Sequence, residues 1–221
     1  MLSPKMLMEL LAHFMWPVAC PVCGALGKLI CEDCLRSFAK FRLPRCLWCG
    51  EPIPCKIHKA ETPKIQTGFV YEGHVKELIL ALKYKRYRAL GPHLGKALAR
   101  VVACPKVDVL VPIPLHQNSK RRYNQAEGIA KGLSEVWGTE VLDVAQWKID
   151  VSPRAGASLS ERFSLTPEAF GFGMDISNLR VGFVDDVCTT GTTLSCLAKA
   201  ARAQGAEVCG AFVVAGSPFV G

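Results

Sequence analysis

Two adjacent carboxylates, Asp185 and Asp186, follow an apolar run (Val181, Gly182, Phe183, Val184) and precede a loop of small residues, Thr189, Thr190, Gly191, Thr192 and Thr193. The apolar run predicts a strand covered on both faces of a parallel sheet, and such strands present ligand-binding turns at their carboxyl ends. A Thr/Gly loop that opens a helix offers backbone N–H groups, hydroxyls and the positive end of a helix dipole, which together cradle a phosphate. Carboxylates would repel that phosphate, so the pair needs another partner: vicinal ribose hydroxyls, a metal ion, or both. The plainer alternative is a strand followed by an N-capped helix. Capping, however, needs one Asp or Thr and not this whole series.

A second set of chemistry-bearing residues lies near the amino terminus. Cys20 and Cys23, Cys31 and Cys34, and Cys46 and Cys49 form Cys-x-x-Cys pairs, and Cys55-x-x-His58 closes the series. Two tetrahedral zinc sites need this many thiolate and imidazole ligands. Gly24 and Gly50, each following the second cysteine of a pair, suit tight knuckles whose N–H groups point at thiolate sulfurs. A disulfide framework is the alternative, but it fits a secreted chain, and here an odd number of cysteines is completed by a histidine. Sequential pairing puts Cys20, Cys23, Cys31 and Cys34 on one ion and Cys46, Cys49, Cys55 and His58 on the other; a cross-braced pairing stays open. A module this small has little core, so its metals are expected to be structural.

The elements that position these groups follow from periodicity. Residues 1–16 are apolar but interrupted by Glu9 and His13, and Leu7, Leu10, Leu11, Phe14 and Met15 recur at helical spacing. The run is shorter than a membrane span and no small-residue cleavage site precedes Cys20, so an amphipathic helix is expected, with no membrane span and no leader. Residues 59–67 lack apolar periodicity and read as a linker. Residues 69–71 predict a short strand, and 75–85 and 94–102 predict helices. Residues 109–111 form a buried strand stopped by Pro112 and Pro114, which cannot donate to a ladder. A helix over about 124–137, ended by Gly138, follows the turn that carries Lys120, Arg121 and Arg122. Another helix covers 194–204, closed by Gly205, and a buried strand covers 207–215. The alternation of strands and helices argues for an α/β domain with a mostly parallel sheet. Cys104, Cys188, Cys196 and Cys209 read as small core residues, Cys188 also as a candidate reactive thiol.

Charge is unevenly spread. The chain has 27 Lys and Arg against 19 Asp and Glu, yet the portion carrying the acidic pair is net negative. Lys83, Lys85, Arg86 and Arg88 crowd one stretch with Tyr84 and Tyr87. Basic side chains interleaved with aromatics suit single-stranded nucleic acid; a positively charged surface turn is the plainer account. Lys28, Arg36, Lys40, Arg42 and Arg45 of the cysteine module are further candidates for such contact.

The order of strand, acidic pair and Thr/Gly loop resembles the phosphoribosyl pyrophosphate signature of type I phosphoribosyltransferases. Pro112-Ile113-Pro114-Leu115-His116, then Arg121 and Tyr123-Asn124-Gln125-Ala126, extend the likeness, as do Tyr71 with Gly73 and Leu82-Lys83-Tyr84. Behind a cysteine-rich amino terminus, this series is similar to the ComF family of competence-associated proteins. The resemblance implies a type I phosphoribosyltransferase-like sheet flanked by helices (residues 63–221) behind a zinc-ribbon-like module (residues 1–62). It further implies that Asp185 and Asp186 face the ribose 2- and 3-hydroxyls and that Thr189, Thr190, Gly191, Thr192 and Thr193 hold the 5-phosphate. Pro114, Leu115, Arg121 and Arg122 would then bind pyrophosphate together with Mg²⁺, two structural Zn²⁺ would fill the cysteine sites, and a loop within 151–173 carrying Arg162 would close over the ligand. Arg122 stands where the family has Gly, no Gln precedes Leu159, and Leu165 stands where an Asn is expected. The implied function is phosphoribosyl pyrophosphate binding in the cytoplasm, associated with DNA uptake and its other proteins, with glycosyl transfer if the site turns over. The alternative is a non-catalytic single-stranded DNA-binding competence factor that only senses the ligand.

Overall fold

The computed structural model describes residues 18–58, 62–85, 87–104, 106–116, 119, 121, 123–148 and 165–217. The expected helix in residues 1–16, together with Arg86, Lys120, Arg122, Leu159 and Arg162, lies outside the described residues. In chain order the elements are α1 (Glu32–Arg36), β1 (Arg45–Cys46), β2 (Lys64–Val70), α2 (Gly73–Tyr84), α3 (Leu90–Ala99), β3 (Val109–Pro112), α4 (Gln125–Trp137), β4 (Glu140–Val141), β5 (Ala145–Trp147), β6 (Phe170–Phe172), β7 (Arg180–Cys188), α5 (Thr192–Ala203) and β8 (Glu207–Gly216).

The main sheet runs β1-β2-β8-β7-β3-β4, parallel throughout except for β1, which is antiparallel to β2. A small antiparallel pair, β5 with β6, stands beside it. The protein is thus α/β, with a mostly parallel six-stranded sheet flanked by helices and a cysteine-rich amino-terminal region. Side chains alternate across the sheet with period two. Val184, Phe212 and Val214 join Leu78, Ile79, Leu82, Leu94, Leu98, Ile129 and Leu133 under α2, α3 and α4. Val181, Phe183, Ala211 and Val213 join Leu194, Leu197 and Ala201 under α5.

Chain direction decides where a ligand can sit. From β3 the chain passes through α4 to β4 on one side, then returns to β7 on the other side of β3. The carboxyl ends of β3 and β7 therefore flank a topological switch point, the place where open α/β sheets leave a crevice.

Two expectations need correction. Residues 64–67, read as linker, belong to β2: they pair with β8 from Lys64 opposite Gly210 to Thr67 opposite Val213, and only Ile65 of the four is buried. β2 lies between the two-residue β1 and β8, and with apolar side chains buried only at Ile65 and Phe69 its periodicity is faint. The strand beginning at Val181 also does not end at the carboxylates. It continues to Cys188 because β8 keeps pairing with it, Asp185 opposite Val213 and Cys188 opposite Gly216. On the other side pairing stops at Pro112 opposite Val184, so the acidic pair emerges where β3 has ended.

Helix ends follow local chemistry. Asn124 caps α4 by accepting from the Ala126 N–H (3.1 Å), and Gly138 closes it at φ 68°. The helix expected over 94–102 is α3, which begins at Leu90. It crosses α4 at four glycines, Gly91 and Gly95 against Gly128 and Gly132. A Cβ at Gly132 would lie 2.0 Å from the Pro92 carbonyl oxygen, and one at Gly95 would lie 2.1 Å from that of Ile129. Neither neighbour is a side chain that can swing away. We expect Gly132→Ala to destabilise the chain by about 2 kcal/mol, within the range for overpacking, read as an earlier urea midpoint; an unchanged midpoint would show that the helices can part without cost. Among the described residues no helix is long and apolar enough to cross a membrane.

Candidate functional site

At the end of β7 the two carboxylates differ in surroundings. Asp186 is buried and paired with Lys83 of α2, whose Nζ lies 2.8 Å from Oδ1. Asp185 keeps partial access to water, and its Oδ1 accepts the backbone N–H of Asp186 (2.7 Å). Loss of hydration pushes the Asp185 carboxyl up to about 8; the Asp186 carboxylate beside it adds to this, and Lys83 and Arg121 oppose it.

The Thr/Gly loop follows directly. Gly191 takes φ 82° as the first residue before α5, a conformation open to glycine, and brings no side chain to cap the helix. The first N–H groups of α5 therefore face the crevice end of the sheet. The Thr190 and Thr192 hydroxyls meet at 2.9 Å, and Thr189, Thr190 and Thr192 are exposed. Cys188 is buried as the last residue of β7, and burial pushes its thiol up to about 11, which leaves little of the thiolate that a reactive cysteine needs. Cys196 is also buried, but Cys104 is exposed and Cys209 half-buried, contrary to a core role for all four.

Across the crevice, the turn after β3 is fixed from several sides. The Ile113 N–H donates to Val184 O, Asn124 Nδ2 to Ile113 O, and Trp147 Nε1 to Pro114 O, at 2.9, 2.9 and 3.1 Å. Arg121 is oriented by its Nε on Ser119 Oγ (3.1 Å) and its Nη1 on Gln125 Oε1 (3.0 Å). Tyr123 carries Arg88 over its ring at 4.7 Å. Its buried hydroxyl has no hydrogen-bond partner among the described residues. A cleft of about 550 Å³ opens here, lined by Pro114, Leu115, Arg121, Tyr123, Asp143 and Trp147.

The eight amino-terminal ligands gather as two groups, Cys20, Cys23, Cys31 and Cys34, and Cys46, Cys49, Cys55 and His58, each with its ligand atoms within 4.8 Å of one another. This is the sequential pairing. The Cys20 and Cys34 sulfurs are 3.9 Å apart, Cys23 and Cys31 3.5 Å, and Cys49 and Cys55 3.5 Å, while Cys46 Sγ lies 3.5 Å from His58 Nδ1. These are far from the roughly 2 Å of a disulfide and close to the roughly 3.8 Å that zinc–sulfur bonds of about 2.3 Å impose on a tetrahedron. The His58 backbone N–H helps hold the Cys55 thiol down to about 6, whereas burial and the neighbouring sulfurs push Cys49 up to about 11. Crowded thiols of this kind cannot all ionise without a cation among them. Both groups can hold a metal ion, and the donor set suits zinc.

The basic stretch divides. Lys83 turns inward to Asp186, while Lys85 and Arg88 are exposed beside Tyr84 and Tyr87. Arg45 is buried and donates from Nη1 to the Thr189 carbonyl, so it is not presented on the module's surface. Neither the Lys83 nor the Arg45 contact has a signal in the sequence, because both join residues about a hundred or more positions apart. No protein-family model matches the chain, and no curated protein matches it either.

Proposed function

We propose that the crevice between β3 and β7 binds phosphoribosyl pyrophosphate on a type I phosphoribosyltransferase-like scaffold, as the likeness to the ComF family implies. The observation that carries this reading is the position of Asp185 and Asp186. They emerge at the switch point, between an N–H-lined Thr/Gly loop on one side and the anchored Arg121 on the other. The carboxylates accept hydrogen bonds from the two ribose hydroxyls, the loop at 189–193 takes the 5-phosphate, and Pro114, Leu115 and Arg121 take the pyrophosphate, Arg offering the fork that phosphate oxygens accept. Arg162 joins them if the family pattern extends to this chain, and Arg122, where the family has Gly, adds a further positive charge to the same turn. Mg²⁺ arriving with the ligand neutralises part of the pyrophosphate charge.

In the transferase form, a nitrogen nucleophile attacks C1 of the ribose and pyrophosphate leaves, so catalysis is mostly positioning and electrostatics. The second reading, a DNA-uptake factor that senses the ligand without turnover, is favoured by the exposed Tyr84, Lys85, Tyr87 and Arg88, which offer stacking faces and charge to a single strand. Calorimetry with phosphoribosyl pyrophosphate and Mg²⁺ tests the shared premise, with saturable binding of one ligand per chain expected; no heat at millimolar ligand would end both forms of it. Release of pyrophosphate in the presence of nucleobases separates the transferase from the sensor.

A further inference from the structure

We propose that the second cysteine group is the back wall of the Thr/Gly loop, so that a metal ion held by Cys46, Cys49, Cys55 and His58 sets the loop's geometry, while an ion in the first group does not. The consequence for ligand affinity rests on the phosphoribosyl reading above; the consequence for the loop itself does not.

The two knuckles are near copies. Gly24 and Gly50 follow equivalent cysteines, both at φ 76°, and each donates its N–H to the carbonyl four residues back, Cys20 O and Cys46 O, at 2.8 Å. Their surroundings are opposite. A Cβ at Gly24 would meet nothing within 4 Å, whereas one at Gly50 would stand 2.6 Å from the Thr190 carbonyl oxygen. Around Gly50 three more contacts reach the same loop and helix. Arg45 Nη1 donates to Thr189 O, Ser195 Oγ of α5 donates to Trp48 O at 2.8 Å, and the Arg202 guanidinium lies 5.4 Å from the centre of the Trp48 ring. Residues 45–50 thus touch the start of the loop, at Thr189 and Thr190, and the helix it opens.

Those residues hold their shape through the metal knuckle. Cys46 exchanges hydrogen bonds with Glu51 and Gly50, and the buried Leu47 is tied by its N–H to Pro63 O. The first group packs elsewhere. Cys20, Ile30, Cys34 and Phe38 sit in the core under α2 and α3, and Glu32 pairs with Arg100 at 3.2 Å. The two groups therefore lie against opposite faces of the sheet, and only the second abuts the loop.

Gly24→Ala and Gly50→Ala in the full chain impose the same backbone strain on their knuckles, so they isolate the contact with Thr190. Hydrogen exchange across residues 188–196 should quicken about tenfold in Gly50→Ala and stay within twofold in Gly24→Ala, and binding of phosphoribosyl pyrophosphate should weaken about tenfold in Gly50→Ala alone. Cys49→Ser provides the metal arm: zinc content falls from two ions per chain to one, and the same segment exchanges faster. Equal exchange in the two glycine variants, unchanged exchange in Cys49→Ser, or a wild-type chain purified without metal overturns the proposal. If the wild type binds no phosphoribosyl pyrophosphate, the functional reading fails, while the exchange measurements still decide this one.

Discussion

Asp186→Asn abolishes phosphoribosyl pyrophosphate binding, with at least a ~100-fold loss in calorimetry, while the chain stays folded. The substitution preserves shape, so no cavity opens and no overpacking follows. The loss is of charge. A carboxylate accepting from ribose hydroxyls makes charge-assisted hydrogen bonds worth roughly 1.5–3 kcal/mol each, and losing about 2.7 kcal/mol is a factor of ~100 in affinity. The amide also leaves Lys83 without its buried partner, since Nζ now rests 2.8 Å from the Asp186 carboxylate. Stranding one member of a buried pair is costly, so the melting temperature should fall by a few degrees. Lys83→Met with Asp186→Asn removes both charges and should recover that stability without recovering binding. This separates the two contributions: a double variant that binds as well as wild type would show that the carboxylate is a structural counter-ion to Lys83 and nothing more. Unchanged affinity in Asp186→Asn alone would remove the ribose site from this position.

The same contact shows what local sequence could and could not disclose. The buried strand at 181–184, the Thr/Gly loop, the Asn124 cap and the Gly138 stop all depend on neighbours within a few residues, and each stands where its pattern places it. The end of β7 does not. Whether Asp185 to Cys188 remain extended depends on the length of β8, whose residues lie some thirty positions away. Likewise β2 carries polar residues at Lys64, Gln66 and Thr67, and only the pairing partner makes it a strand. The glycines at 91, 95, 128 and 132 do leave a legible trace, two pairs at four-residue spacing on consecutive helices. That trace identifies a close crossing only once both helices are known to pack together. The cysteine groups are a middle case: ligand count and spacing announce two four-ligand groups but leave the pairing open, and the fold makes it sequential. Their unequal relation to the Thr/Gly loop depends on which face of the sheet each reaches, and nothing in the spacing encodes that.

Affinity for phosphoribosyl pyrophosphate should fall about 50-fold between pH 8 and pH 6 through Asp185, which is half ionised at the upper pH. Its carboxyl is pushed up to about 8, first by loss of hydration and then by Asp186. If the ribose hydroxyls require the anion, binding below pH 8 must expel a proton, and each pH unit costs a factor of about ten. Calorimetry in buffers of different ionisation heat measures that proton directly: about one released per ligand at pH 7 and about none at pH 9. Phosphate groups of the ligand titrate near pH 6, so Asp185→Asn is the necessary control. It should bind weakly with a flat profile from pH 6.5 to 8. The same shift has the opposite consequence for the unliganded fold. Between the ordinary carboxylate range near 4 and about 8, the folded chain holds a proton here that the unfolded chain has lost. This contribution to stability is complete below pH 4 and declines as pH rises through 8. Asp185→Asn removes that decline, so its melting temperature should exceed that of wild type by more at pH 9 than at pH 6. A site that strains the empty protein at the pH where it binds best has its carboxylate placed for a ligand and not for the fold. Proton release near zero at pH 7, with a wild-type melting temperature parallel to that of Asp185→Asn across the range, would mean that Asp185 is already ionised and that the crevice is better hydrated than its packing implies.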